Sequence, residues 1–267
     1  MKRSGKVILI IAVCLLVFGI LLSGGAAIAF RVTGSHPISG RSLSPADVRT
    51  AHMDSIDRLS LRLLNEPIYI RTGGDVVAIE WSEIYSGQYR LTPNANSLSL
   101  SRQTSNNIGF GPSWFNFDFS WFGISSRTED GSNRPVTVTI PEGMSLRSVD
   151  IAGADIRLEI DGIHARDIDI SGANVIAELS NVDAGSIEVS GANTIVNLSQ
   201  VTAADIDVSG ANAEVSASID VLESWGWNVS GLHAEARVNG ELRSGRTVGT
   251  NNISVNGLNA VLDIWVR

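Results

Sequence analysis

The chain has 267 residues, with 20 basic and 28 acidic side chains and a formal charge of −8. Three of the basic residues fall before residue 30 and none of the acidic ones does, so the rest carries 17 arginines against 28 carboxylates, a net −11. That surface argues against nucleic acid and anionic lipid as partners, and one cysteine, Cys14, leaves no internal disulfide to hold the fold.

Residues 1–6 are a short basic tail with Lys2, Arg3 and Lys6. Val7 to Phe30 follows as 24 uncharged, largely apolar residues, long enough to span a bilayer as a helix. Positive charge on its N-terminal side places the tail in the cytoplasm and the rest of the chain outside, as a single-pass cell-membrane protein. The alternative is a signal peptide cleaved near Ala29, because Ala27-Ile28-Ala29 fits a small-x-small site, which gives a secreted product. Residues 31–55 form a polar spacer with Gly34, Pro37, Gly40 and Pro45, and with a short helix expected after Ser44. His36 and His52 lie here without evident metal partners.

Strand-like patterning starts near Ile56. Leu59, Leu61, Leu63, Ile68 and Ile70, then Val76 to Trp81, Tyr89 to Leu91 and Leu98 to Leu100, predict early, irregular coils of the architecture that dominates further on. An insertion at 108–134 interrupts them. Within it Phe115, Phe117, Phe119 and Trp121 alternate with Asn116, Asp118 and Ser120, giving a strand or hairpin with one aromatic face. That face either covers the flank or end of the domain, or is an exposed patch for a partner protein, a glycan or the membrane interface. Val136 to Pro141 then returns to the regular pattern.

From Val149 to Ala217 one phrase is repeated. Asp169-Ile170-Ser171-Gly172-Ala173-Asn174 recurs as Glu188 to Asn193 and Asp207 to Asn212, with a weaker copy at Asp150 to Asp155. Gly153, Gly172, Gly191 and Gly210 are each 19 residues apart, and drifted copies surround Gly231 and Gly257. Stacked at this offset, Val149, Ile168, Ile187 and Ile206 make one apolar column, and Ile151, Ile170, Val189 and Val208 another two residues on. After the glycine come Ile156, Val175, Thr194 and Ala213, then two more columns at spacing two. Such spacing is that of strands. Each repeat is expected to hold two strands bent at a glycine with φ above zero, and Ile163, Val182 and Val201 add a third inward corner.

One repeat cannot bury its own apolar side, so the copies must stack, at roughly 4.8 Å per rung. The fold class expected is all-β: a parallel β-solenoid of about 19–20-residue coils over residues 56–267, roughly eight to ten in number. A propeller blade needs about twice this period, and a sandwich would not keep residue types in register. The column Asp155, Asn174, Asn193, Asn212, His233, Asn259 predicts a side-chain ladder. Trp225, Trp227 and Trp265 are expected to cap and pack the last coils.

The outward column Asp150, Asp169, Glu188 and Asp207 puts carboxylates on successive rungs, where they repel. It reads as a solvated acidic face beside Arg147 and Arg166, or as a surface for a divalent cation or a basic partner. No zinc spacing, phosphate loop, dinucleotide fingerprint or EF-hand is present, so no metal, cofactor or catalytic residue is assigned. A catalytic pair needs two carboxyl groups in different environments, which equivalent positions on successive coils do not provide.

The apolar anchor, the segment Val136 to Gly143 and the strand-Ser-Gly-Ala-Asn coils together resemble the bacterial β-strand-repeat proteins grouped under a domain of unknown function and called putative adhesins. The resemblance covers residues 56 to 267, and the aromatic insertion departs from it. It implies a solenoid on the cell surface, with no catalytic residues to carry over. The function expected is a membrane-anchored, non-catalytic binding module, an adhesin or envelope interaction protein with a protein or glycan partner. The alternatives are a regulatory or scaffold protein of an envelope-stress system and, more remotely, a polysaccharide-active β-helix enzyme. Oligomeric state is left open.

Overall fold

The computed structural model describes residues 47–83, 87–103, 135–243 and 249–267. The Val7–Phe30 span and the aromatic face of Phe115, Phe117, Phe119 and Trp121 lie outside the described residues. Among the described residues no helix is long and apolar enough to cross a membrane.

The described chain is all-β, and its strands join one mixed sheet. In order they are β1 (Asp47–Met53), β2 (Arg58–Arg62), β3 (Pro67–Thr72), β4 (Val77–Glu83), β5 (Tyr89–Asn94) and β6 (Ser97–Arg102). Next come β7 (Val136–Ile140), β8 (Ser145–Asp161), β9 (His164–Ser180), β10 (Asp183–Ser190), β11 (Asn193–Ser199) and β12 (Thr202–Ile219). After a 3-10 turn at Leu222–Ser224 follow β13 (Trp225–Ser230), β14 (His233–Val238), β15 (Glu241–Arg243) and β16 (Asn251–Val266).

The repeats pair in parallel at the expected offset. Val149 faces Ile168, Ile168 faces Ile187 and Ile187 faces Ile206 across β8, β9, β10 and β12. Beyond the glycine, Val175 faces Thr194 and Thr194 faces Ala213. All these residues are buried. Side-chain period is two within a strand, so an odd step between buried positions rotates the inward side and makes a corner. In one repeat Ile163 and Ala165, then Ile168 and Ile170, then Val175, Ala177 and Leu179 are buried. The odd steps between these groups mark corners, and the third apolar column is a short inward side of its own.

The repeat glycines do a different job from the one expected. None of Gly153, Gly172, Gly191 and Gly210 is among the residues with positive φ, and β8, β9 and β12 run through theirs without a break. A Cβ on Gly191 would stand 2.7 Å from the carbonyl oxygen of Gly172, and one on Gly210 would stand 2.6 Å from that of Gly191. Glycine is kept here because the backbone of the preceding rung occupies the place of a side chain. Left-handed backbone instead falls at Gly143, Gly162, Asn181 and Gln200, another column of period 19, at the turn closing each repeat.

The ends depart from sequential stacking. β16 lies between β12 on one side and β13 and β14 on the other. The last strand in the chain is therefore an inner rung. Likewise β2 and β3 lie between β8 and the outer strands β6 and β7. Outside these, pairing turns antiparallel: β5 on β6, β4 on β7, β1 on β4, and β15 on β14. A stack of parallel rungs leaves open edges that invite association, and these strands cover part of them. The sheet is thus parallel in its middle and mixed overall. The segment after Ser44, expected to be helical spacer, contains β1 instead. Pairing with β4 along Asp47–Met53 overrides the weak local preference.

Candidate functional site

Two outward surfaces arise from this register. The first is the acidic column. Asp150 lies beside Asp169, Asp169 beside Glu188 and Glu188 beside Asp207. Ser60 and Ser254 neighbour the two end carboxylates across the ladders. The four residues are brought together as the sequence implies. Partial burial, and then the neighbouring charge of Asp150, raise the Asp169 carboxyl above its ordinary range. Ionising it therefore opposes folding, a penalty absent at acid pH and present once pH exceeds its raised value. Ser148 Oγ donates to Asp150 Oδ2 at 3.1 Å, and Arg166 pairs with Asp167 at 3.6 Å. Among the described residues no group of three His, Cys, Asp or Glu side chains is placed to hold a metal ion.

The Asn column forms a hydrogen-bonded ladder along one corner. Asn174 Nδ2 donates to Asp155 Oδ1, Asn193 to Asn174 at 2.8 Å, Asn212 to Asn193 at 2.7 Å and Asn259 to Asn212 at 2.7 Å. Asn259 follows Asn212 directly because β16 is inserted there. His233 pairs in register with Asn259 on the outer rung and is exposed. This column acts as structure: Asn174, Asn193 and Asn212 each donate and accept along the stack.

The second surface lies on the outer side of the strands after the glycine, and sequence reasoning missed it. Glu159, Glu178, Asn197 and Ser216 follow one another down its centre, with Asp161, Ser180, Ser199 and Ser218 two residues on. The small serines leave a trough of about 380 Å³, with Trp265 at one end. Trp265 is 52% exposed, unlike the buried Trp225 and Trp227; of the three tryptophans expected to cap and pack, only those two are in the core. Arg267 Nη2 reaches back to donate to Ser199 Oγ at 3.0 Å. On the other flank Ile176 and Ile195 point outward, each about two-fifths exposed. Asp161 accepts from Asn181 and Ser180, which hold its carboxyl below the usual range. The polar columns could have been found by stacking the sequence at 19. The place of Trp265 could also have been found, by aligning Gly257 with Gly210, which sets Trp265 in the column of Ser218 across an offset of 47.

No family model and no curated protein matches the chain. Among solved structures it is similar to a putative cell adhesion protein from Clostridium sporogenes, at 12% identity and a TM-score of 0.41, over 84% of this chain and 100% of that one. It is also similar to a putative adhesin from Bacteroides fragilis, at 11% identity and a TM-score of 0.46, over 85% and 100% of the two chains. A putative adhesin from Parabacteroides merdae shows 9% identity and a TM-score of 0.27, over 82% and 96%. Likenesses at this level leave the chemistry to be argued from this chain's own residues.

Proposed function

We propose that the described strands between residues 47 and 267 form a β-solenoid with antiparallel ends, serving as a non-catalytic binding module of adhesin or envelope-interaction type outside the cytoplasm. Val7–Phe30 anchors it as a single membrane span. The observation that carries this reading is the in-register repetition of outward side chains over successive rungs. Repetition of that kind offers an extended partner many equivalent contacts, each weak, which sum along its length. The same equivalence works against acid–base chemistry, which needs two carboxyl groups whose environments push their pKa values apart.

A second reading, contact with another membrane protein in a regulatory or scaffold role, draws on the last rungs. Leu232, Leu242 and Leu258 are 81%, 67% and 57% exposed there. Exposed leucines on these rungs suit a protein partner better than a glycan. Cross-linking in intact cells, recovery with an antibody to the chain and mass spectrometry separate the two. Recovery of wall glycan or of many surface proteins supports the adhesin. One dominant membrane protein supports the second reading. Recovery of the chain from the soluble medium, beginning near residue 30, would overturn the anchor.

A further inference from the structure

We propose that the trough ending at Trp265 is a binding site for a neutral, extended glycan lying across the rungs. This deepens the binding-module reading and rests on it.

The chemistry of the trough is that of sugar recognition. A pyranose presents hydroxyl groups on its rim and an apolar C–H face. Carboxylates and amides such as Glu159, Glu178 and Asn197 accept or donate to paired hydroxyls, and a flat indole covers the C–H face. Indole otherwise prefers the interior, as Trp225 and Trp227 illustrate by being under a tenth exposed. Trp265 stands out of the core at the end of a trough whose lining mixes these polar groups with apolar surface. The rung beyond leaves the indole half-exposed: β14 pairs with β16 as far as Val238, and Asn239 then turns away with left-handed backbone, its Oδ1 accepting from Val266 N at 2.9 Å.

Spacing and charge narrow the ligand. Rungs repeat at about 4.8 Å, close to the length of one sugar in an extended chain, so successive sugars meet successive rungs. Asn193-to-Asn212-type ladders hold those rungs in strict register, which makes the polar groups preorganised. The central column carries Glu159 and Glu178, and the trough's margin carries Asp161. These three carboxylates outnumber the Arg267 guanidinium that reaches Ser199, so sulfated, phosphorylated or uronic-acid chains meet net repulsion, whereas a neutral chain does not.

The purified full-length chain would be tested on a printed array of neutral, sulfated and uronic oligosaccharides. The strongest neutral oligosaccharide would then be titrated by tryptophan fluorescence. Binding confined to neutral chains and strengthening with their length is expected. Trp265→Ala should weaken it on the order of tenfold, the loss of one stacked ring, while Trp265→Phe retains most of it. Ser218→Tyr should block the trough, and Asp54→Asn, in the exposed turn between β1 and β2, should change nothing. Melting temperatures of the variants report folding independently. Neutral-glycan binding that survives both Trp265→Ala and Ser218→Tyr overturns the site. So does an array with no neutral binder. In either case, cellular cross-links that persist in Ser218→Tyr leave the binding-module reading standing. Absence of both glycan binding and cross-linked partners overturns the two together.

Discussion

A Cβ placed on Gly210 would stand 2.6 Å from the carbonyl oxygen of Gly191, whereas one on Gly143 would meet nothing within 4 Å. Gly143 instead has φ +75°. The two glycines answer different demands, close approach of backbones in one case and a left-handed turn in the other. Asparagine distinguishes them, since it tolerates left-handed backbone better than other side chains but still carries a Cβ. Asn181 already occupies the left-handed column with φ 53°. Gly143→Asn should therefore cost about 1 kcal/mol, and Gly210→Asn about 3 kcal/mol through overpacking against a fixed carbonyl. Urea unfolding of the two variants, compared by midpoint at constant slope, checks this. Equal losses would mean that the repeat glycine serves the turn after all.

At the scale of the element, β5 and β6 are tied to the corner between β2 and β3 by one buried carboxylate. Glu66 is 6% exposed. Its Oε1 accepts from Tyr89 at 2.6 Å and from Arg102, and its Oε2 accepts from the amides of Leu64 at 2.8 Å and Asn65 at 3.1 Å. Burial alone would push this carboxyl up. The bond from Tyr89, the charge of Arg102 and the backbone amide outweigh burial and hold it below its usual value. A carboxyl depressed in the folded state stabilises above its unfolded value, and that stability disappears as pH falls through the folded one. Glu66→Gln should accordingly flatten the acid limb of a melting-temperature profile, and Glu66→Ala should cost about 3 kcal/mol at neutral pH by stranding Arg102. A wild-type acid limb unchanged in Glu66→Gln would show that the hairpin is held by other contacts. Nothing in the sequence marks Glu66, because its partners come from 23 and 36 residues away. The rungs from β8 to β12 were legible for the opposite reason. There each residue meets its own equivalent 19 residues on, so the columns, the Asn ladder and the acidic face follow from one offset. Where the Ser-Gly-Ala-Asn phrase fades, the offset changes: β1 carries no copy of the phrase and was mistaken for helical spacer, and Trp265, read as a capping and packing residue, joins the Ser218 column only when Gly257 is aligned with Gly210.

In the whole molecule the interleaved ends determine what can come apart. β13 and β14 dock on β16 and not on β12, although β12 precedes them in the chain. Ile253, Val255, Ala260, Leu262 and Ile264 of β16 are at most 1% exposed, covered on one side by β12 and on the other by the outer rung. A chain ending at residue 250 would lose this inserted rung. The outer rung would then have to shift onto β12. Its columns permit that, because Val229 and Val208 both face Val255, and His233 and Asn212 both face Asn259. The shift is opposed by Trp225 and Trp227. Their bulk faces Asn251 and Ile253 across β16, and they would meet new neighbours on β12 if the rung slid. Hydrogen exchange should therefore show β13 to β15 unprotected in the truncated chain while β8 to β10 keep native protection, with loss spreading into the exposed edge of β12. Adding a synthetic peptide of residues 251–267 should restore protection to β13, β14 and β12 together, because the slot it fills is bounded by all three. Protection of β13 and β14 without the peptide would mean that the outer rung had closed onto β12, and that the inserted strand serves register rather than cohesion.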